Sequence, residues 1–183
     1  MSEEIIIRNC SPTLAGMKTG NMFSCVFTDR RDLCDSLRRW NRVLCKKGLR
    51  MIPLCMRGGR ALIYLYRPSQ LSKDLKNEQA SRLLSDMGYG SSCPERCIAH
   101  LMKRIEENSV FPHEVGLFLG YPPEDVCGFI AKGANGFKCS GCWKVYGDEE
   151  SARRLFKKYK KCTDIYTVLH SKGKSVERLT VAG

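Results

Sequence analysis

The sequence predicts an α+β fold, a single domain with a small mixed or antiparallel sheet covered by four or five helices, on three observations. Leucines and a tryptophan recur at helical spacing through residues 29–47, two apolar runs flank a glycine turn at residues 57–60, and 183 residues suffice for one ordinary core without disulfide staples. The domain is expected to cover residues 1–170, with residues 171–183 a flexible C-terminal tail.

In chain order, Ile5 to Arg8 reads as a short strand. Ser11-Pro12 reads as an N-cap followed by proline at the first helical position, opening a brief helix to Lys18. Met22 to Phe27 reads as a strand or a further turn of helix. Asp29 to Lys47 is the clearest helix: Leu33, Leu37, Trp40 and Leu44 recur at intervals of four, three and four, and Gly48 stands at the stop. Leu49 to Met56 and Ala61 to Arg67 flank Arg57-Gly58-Gly59-Arg60 and read as a β-hairpin. Leu71, Leu75, Leu83, Leu84 and Met87 mark a helical segment stopping near Gly88, and a helix from Pro94 to Asn108 buries Cys97, Ile98, Leu101, Met102 and Ile105. Val115 to Leu119, bounded by Pro112 and Gly120, reads as a buried strand that joins the sheet. Pro122-Pro123-Glu124-Asp125 reads as a helix start with acids in the first turn. Trp143 to Tyr146 is a further strand; the last helix starts at Asp148, and Cys162 to His170 either prolongs it or forms a second one.

The balance of 31 Lys and Arg against 19 Asp and Glu leaves a formal charge of +12, which biases encounters toward phosphates, nucleic acids or acidic protein surfaces. Eleven cysteines behind an N-terminus without a signal-peptide core argue for a cytoplasmic protein with reduced thiols. So many thiols fit anaerobic life, metal binding, or cysteine used as a small buried hydrophobe, and the last is the favoured reading for most of them. No apolar run approaches the ~18 residues of a membrane span, so no membrane association is predicted.

The chain is organised around Phe111 to Ile130, its least charged long run, which sets His113 and acidic neighbours at the mouth of the expected strand. With Cys10 just outside a helix N-terminus, where the macrodipole favours a thiolate, this suggests a cysteine-dependent hydrolase or acyl-transfer enzyme. Cys10 would be the nucleophile, His113 the base, and Asp125 or Glu114 the orienting carboxylate; Glu114 is disfavoured because adjacent strand residues face opposite sides. The chain order is similar to that of papain-like folds, whose local signatures are absent. A second candidate is Cys139-Ser-Gly-Cys142, half a zinc site or, less favoured because a strand follows it, a redox dithiol, with Cys93 and Cys97 as the nearest paired thiols; no other cofactor is indicated. A third is non-enzymatic: Arg31, Arg38 and Arg42 on one helix face, and six cations between Arg153 and Lys161, suggest a nucleic-acid or other polyanion surface without a recognisable reading motif. Plainer readings stand beside all three: a packing cysteine, chance thiol pairs, and a solvated helix face on which Asp35 pairs with arginines one turn away.

CSPTLAG from Cys10, FPHEVGLFLGYPPEDV from Phe111 and WKVY from Trp143 resemble the hallmarks of an uncharacterised family of small cysteine-containing proteins from anaerobic Firmicutes. The resemblance covers nearly the whole chain and implies a single cytoplasmic domain. It brings no activity or cofactor, but singles out Cys10, His113, Glu114 and Asp125 as lying within family-like segments. Cys139 and Cys142 lie outside them.

Overall fold

The computed structural model describes residues 1–91, 93–107 and 110–183. The chain divides into two compact units, one formed by residues 1–69 and 159–183, the other by residues 70–158. Among the described residues the fold is α+β, with a three-stranded antiparallel sheet, a separate two-stranded hairpin, and helices making up most of the remainder.

Unit 1 begins with α1 (Glu3–Leu14), where a strand was expected. The run of three isoleucines carries a β-branched signal, but Ile6, Ile7, Cys10 and Leu14 fall on one helical stripe and all are buried, so packing overrides local preference. Ser11 and Pro12 are therefore late helix residues and not its start, and the Ser11 hydroxyl donates to the Ile7 carbonyl at 2.6 Å. The sheet follows in the order β1-β3-β2, from β1 (Gly20–Val26), β2 (Arg50–Arg57) and β3 (Arg60–Tyr66), all antiparallel. Gly58 and Gly59 both have positive φ, 57° and 71°, as a two-residue hairpin turn requires. Pro53 is tolerated because β2 is an edge strand, and the register shifts between Pro53 and Cys55.

The expected long helix is α2 (Arg30–Leu44), continued by a 3-10 turn over Cys45–Lys47. Asp29 caps it by accepting from the Arg31 N–H at 2.6 Å. Leu33, Leu37 and Leu44 are buried in the core shared with the sheet and α1. Asn41 reaches the strand edge: its side chain donates to the Met51 carbonyl at 2.7 Å and accepts from the Met51 N–H at 2.8 Å.

Residues 171–183, expected to be loose, are built into this unit. Here α9 (Val176–Leu179) buries Val176 and Leu179, and the Val181 N–H donates to the Leu14 carbonyl at 3.0 Å. The tie is Arg67, only 2 % exposed, whose Nε and Nη2 donate to the carbonyls of Thr13, Leu14 and Val181 at 2.7–2.9 Å. Its charge meets the carbonyl end of α1, where the helix dipole is negative. Burial still pulls its pKa below the ordinary arginine value.

Unit 2 is helical apart from its hairpin. The expected helical segment after Pro68 is two helices, α3 (Pro68–Leu75) and α4 (Glu78–Asp86), separated at Asn77, whose side chain accepts from the N–H groups of Gln79 and Ala80. Next comes α5 (Pro94–Glu107); Asn108, the expected last residue of that helix, lies outside the described residues. The run after His113 is a helical turn, α6 (Val115–Phe118), and not a strand. Four apolar residues do not distinguish the two, and Gly116 lets α7 (Pro123–Lys132) come close: a Cβ there would lie 2.7 Å from Val126 Cγ2. The hairpin is β4 (Cys139–Ser140) with β5 (Lys144–Val145), so the strand near Val145 pairs here and not in the three-stranded sheet. It leads into α8 (Glu149–Ser171), which runs unbroken through residues 162–170.

Candidate functional site

The expected nucleophile is in the wrong environment for its role. Cys10 lies inside α1 and is fully buried among apolar side chains, and burial pushes its thiol far above the ordinary thiol range. A nucleophilic thiolate needs the opposite surroundings, so Cys10 is a packing residue of unit 1. His113 belongs to unit 2, in an exposed turn before α6.

The two expected orienting carboxylates have other work. Glu114 is 1 % exposed, accepts from the Tyr89 hydroxyl at 3.0 Å, and lies 2.6 Å from Arg104 Nε. Arg104 Nε has no well-aligned acceptor, so the pair is one of charge proximity. Burial first, and the Glu114 charge second, raise the Tyr89 pKa beyond the ordinary phenol value. Asp125 is 3 % exposed and takes three donors from the β4–β5 hairpin and the residues after it: Trp143 Nε1 at 2.7 Å, the Tyr146 N–H at 2.7 Å and the Gly147 N–H at 2.8 Å. Neither carboxylate orients His113; one fixes α5 to the turn before α6, the other fixes the hairpin to α7.

That second fixture creates a pocket. His113, Tyr121 and Phe129 meet Cys142, Trp143 and Lys144 around a recess of about 190 Å³, with Gly116, Val126 and Asp125 also in its lining. Tyr121 stacks on Trp143 with ring centres 4.7 Å apart, and Trp143 meets Phe156 edge-on at 4.6 Å. His113 is edge-on to Phe129 at 4.8 Å, and Lys144 Nζ stands 5.7 Å from the Phe129 centroid and 5.0 Å from that of Phe137. Close approach of α7 to the hairpin depends on Gly128, where a Cβ would fall 2.4 Å from Tyr146 Cγ. The recess is thus aromatic on its sides, with an ammonium and an imidazole at the polar positions, while the Asp125 charge is spent on its three N–H donors.

His113, Asp125 and Cys142 converge here, although the sequence placed them in two different candidate sites. Tyr121, Phe129, Trp143 and Lys144 were missed as site residues. The available signal was that Tyr121, Trp143 and Lys144 sit inside the family-like segments, but no spacing rule links Tyr121 to the hairpin 21 residues on, where its hydroxyl meets the Cys142 carbonyl at 3.2 Å.

The four thiols of the expected zinc set have mixed surroundings. Cys139 is buried and Cys142 exposed; the Cys97 thiol donates to the Ser91 carbonyl at 2.9 Å, and Cys93 faces Glu95 at 3.2 Å. Among the described residues no three metal-ligating side chains are grouped to share an ion. Of the basic faces, α8 is partly neutralised by its own turns: Arg153 pairs with Glu149, Arg154 with Glu150 and Lys160 with Asp164. On α2, among the described residues, Arg38 alone of Arg31, Arg38 and Arg42 is in an ion pair, with Asp35. No helix among the described residues is long and apolar enough to cross a membrane.

A family model described as "Protein of unknown function (DUF3793)" matches residues 6–180. The chain belongs to the DUF3793 family. No curated protein and no solved structure matches it. The DUF3793 match takes in the whole recess together with the α1 and α9 core of unit 1, so the resemblance carried by the three family-like segments extends over nearly the full length.

Proposed function

We propose that the protein binds a small planar anionic molecule in the aromatic recess of unit 2, with a single ring between Phe129 and Trp143 and its acidic group at Lys144. The observation that carries this is the convergence of three aromatic side chains, His113 and Lys144 around one recess of about 190 Å³. An apolar cavity of about 150 Å³ takes a benzene ring, so the volume suits one ring with a small substituent. The Lys144 ammonium brings positive charge to the recess, which attracts an anionic group and opposes a cationic one. The function is therefore ligand binding, with no thiol chemistry assigned to Cys10. Eleven free cysteines support residence in the reducing cytoplasm.

Benzoate is the simplest probe. Its titration is expected to shift the Trp143 indole N–H resonance in a saturable way, and Lys144→Glu is expected to weaken binding about fivefold or more. A Trp143 resonance indifferent to benzoate and to larger aromatic acids overturns the reading.

A second reading concerns unit 1 alone and rests on the α2 face, where Arg31 and Arg42 are exposed alongside the paired Arg38. This stripe suits phosphates of a nucleic acid, with affinity that falls steeply with salt. Exchanging Arg31 and Arg42 for Glu is expected to abolish retention on polyuridylate at low salt, and equal retention of both forms removes it.

A further inference from the structure

We propose that the ligand of the aromatic recess carries an aliphatic chain, and that this chain lies in a second recess on the other side of His113. The inference rests on the ligand-binding reading above and specifies the chemical class of the ligand. The second recess measures about 320 Å³ and is lined by Met87, Val110, Phe111 and Ile130, with His113 common to both recesses. Phe129 and Ile130 are consecutive on α7, the first lining the ring recess and the second the neighbouring one. Val110 is 66 % and Phe111 47 % exposed, two adjacent bulky apolar side chains left in water at the edge of a concave surface.

The charges there sort the two ends of the ligand. Arg104 and Glu114 also line the second recess, but they stand 2.6 Å apart and cancel each other. Around this ion pair the recess adds the apolar side chains of Met87, Val110, Phe111 and Ile130, whereas Lys144 belongs to the ring recess. The ligand class is an arenecarboxylate or similar aromatic acid with an alkyl substituent: acid at Lys144, ring against Trp143 and Phe129, chain over Phe111 and Ile130. The ring recess alone is smaller than the ~300 Å³ at which ligand sites usually begin, and the chain recess supplies the missing contact area.

Calorimetric titration of the whole protein with benzoate and with its 3- and 4-ethyl, butyl and hexyl derivatives tests this. In one of the two series Kd is expected to fall about threefold per added methylene until the recess is filled. The double variant Val110→Ser, Phe111→Ser alters only exposed side chains and is expected to remove that gain while leaving benzoate affinity unchanged. A flat series in both positions, or a gain that survives the double variant, overturns the chain recess even though benzoate binds. Failure of benzoate and all its derivatives to bind overturns the aromatic recess itself.

Discussion

The indole N–H of Trp143 lies 2.7 Å from Oδ2 of Asp125, while Oδ1 of the same carboxylate accepts the N–H groups of Tyr146 and Gly147. One buried anion thus positions an aromatic wall of the pocket and the strand beside it. Asp125→Ala strands the buried Trp143 indole N–H and two half-buried backbone N–H groups and is expected to cost about 3 kcal/mol of stability. Asp125→Asn, which keeps one acceptor oxygen, is expected to cost less. Urea unfolding followed by tryptophan fluorescence measures both; equal and small costs would show that the hairpin does not depend on this carboxylate.

Gly128 tests the same junction by size. Its Cβ position is 2.4 Å from Tyr146 Cγ, so Gly128→Ala must push β5 away from α7. The expected loss is about 1–3 kcal/mol, read as a lower melting temperature, together with weaker benzoate binding from the opened recess.

Thiol chemistry discriminates the environments of the cysteines. Brief iodoacetamide treatment near neutral pH is expected to modify Cys45, Cys93 and Cys142, which are exposed, and to spare Cys10 until the protein is unfolded. Mass spectrometry of the digested protein gives the order, and early alkylation of Cys10 would restore it as a nucleophile. Cys10→Ala is expected to fold with a loss of about 1–2 kcal/mol, the cost of a small buried cavity.

Alkaline pH is expected to destabilise the protein through its buried thiols and phenols. Burial raises the thiol pKa of Cys10, Cys25, Cys97 and Cys162 above 9.0 and the phenols of Tyr89 and Tyr166 above 10.0. Above the unfolded value the native state binds more protons than the unfolded one, so this stability is fully present at neutral pH and declines as pH rises past 9. For fully buried Cys10 the decline approaches about 1.4 kcal/mol per pH unit. Urea midpoints at pH 7, 9 and 10 measure it, and Cys10→Ala is expected to flatten the curve.

Where the sequence carried a local physical rule, the structure follows it: the leucine ladder of α2, the paired glycines of the β2–β3 turn, and the proline and acids that open α7. Where two periods fit equally, tertiary packing decided. Residues 5–8 have the β-branched composition of a strand, yet a stripe through Cys10 and Leu14 made them helical and removed the N-terminus on which a Cys10 thiolate depended. The four-residue run after Glu114 is helical, too short for its apolar pattern to tell a turn of helix from a strand, and its Gly116 packs closely on α7. For the site, His113, Asp125 and Cys142 were each legible as reactive residue types. Their meeting was not, because it depends on the hairpin register that sets Lys144 opposite Ser140 and on a carboxylate used as a fastener, which no spacing of titratable residues encodes.

Arg67 has a bearing on how the polypeptide is made. Its guanidinium binds Thr13 and Leu14 from the beginning of unit 1 and Val181 from its second segment, and the whole of unit 2 is synthesised between them. During translation the nascent α1 and sheet lack Val176, Leu179 and the third acceptor of this buried cation until the ribosome has passed residue 181. Unit 2, contiguous in sequence, can assemble its pocket first, while the core of unit 1 stays unsealed until its second segment has been made.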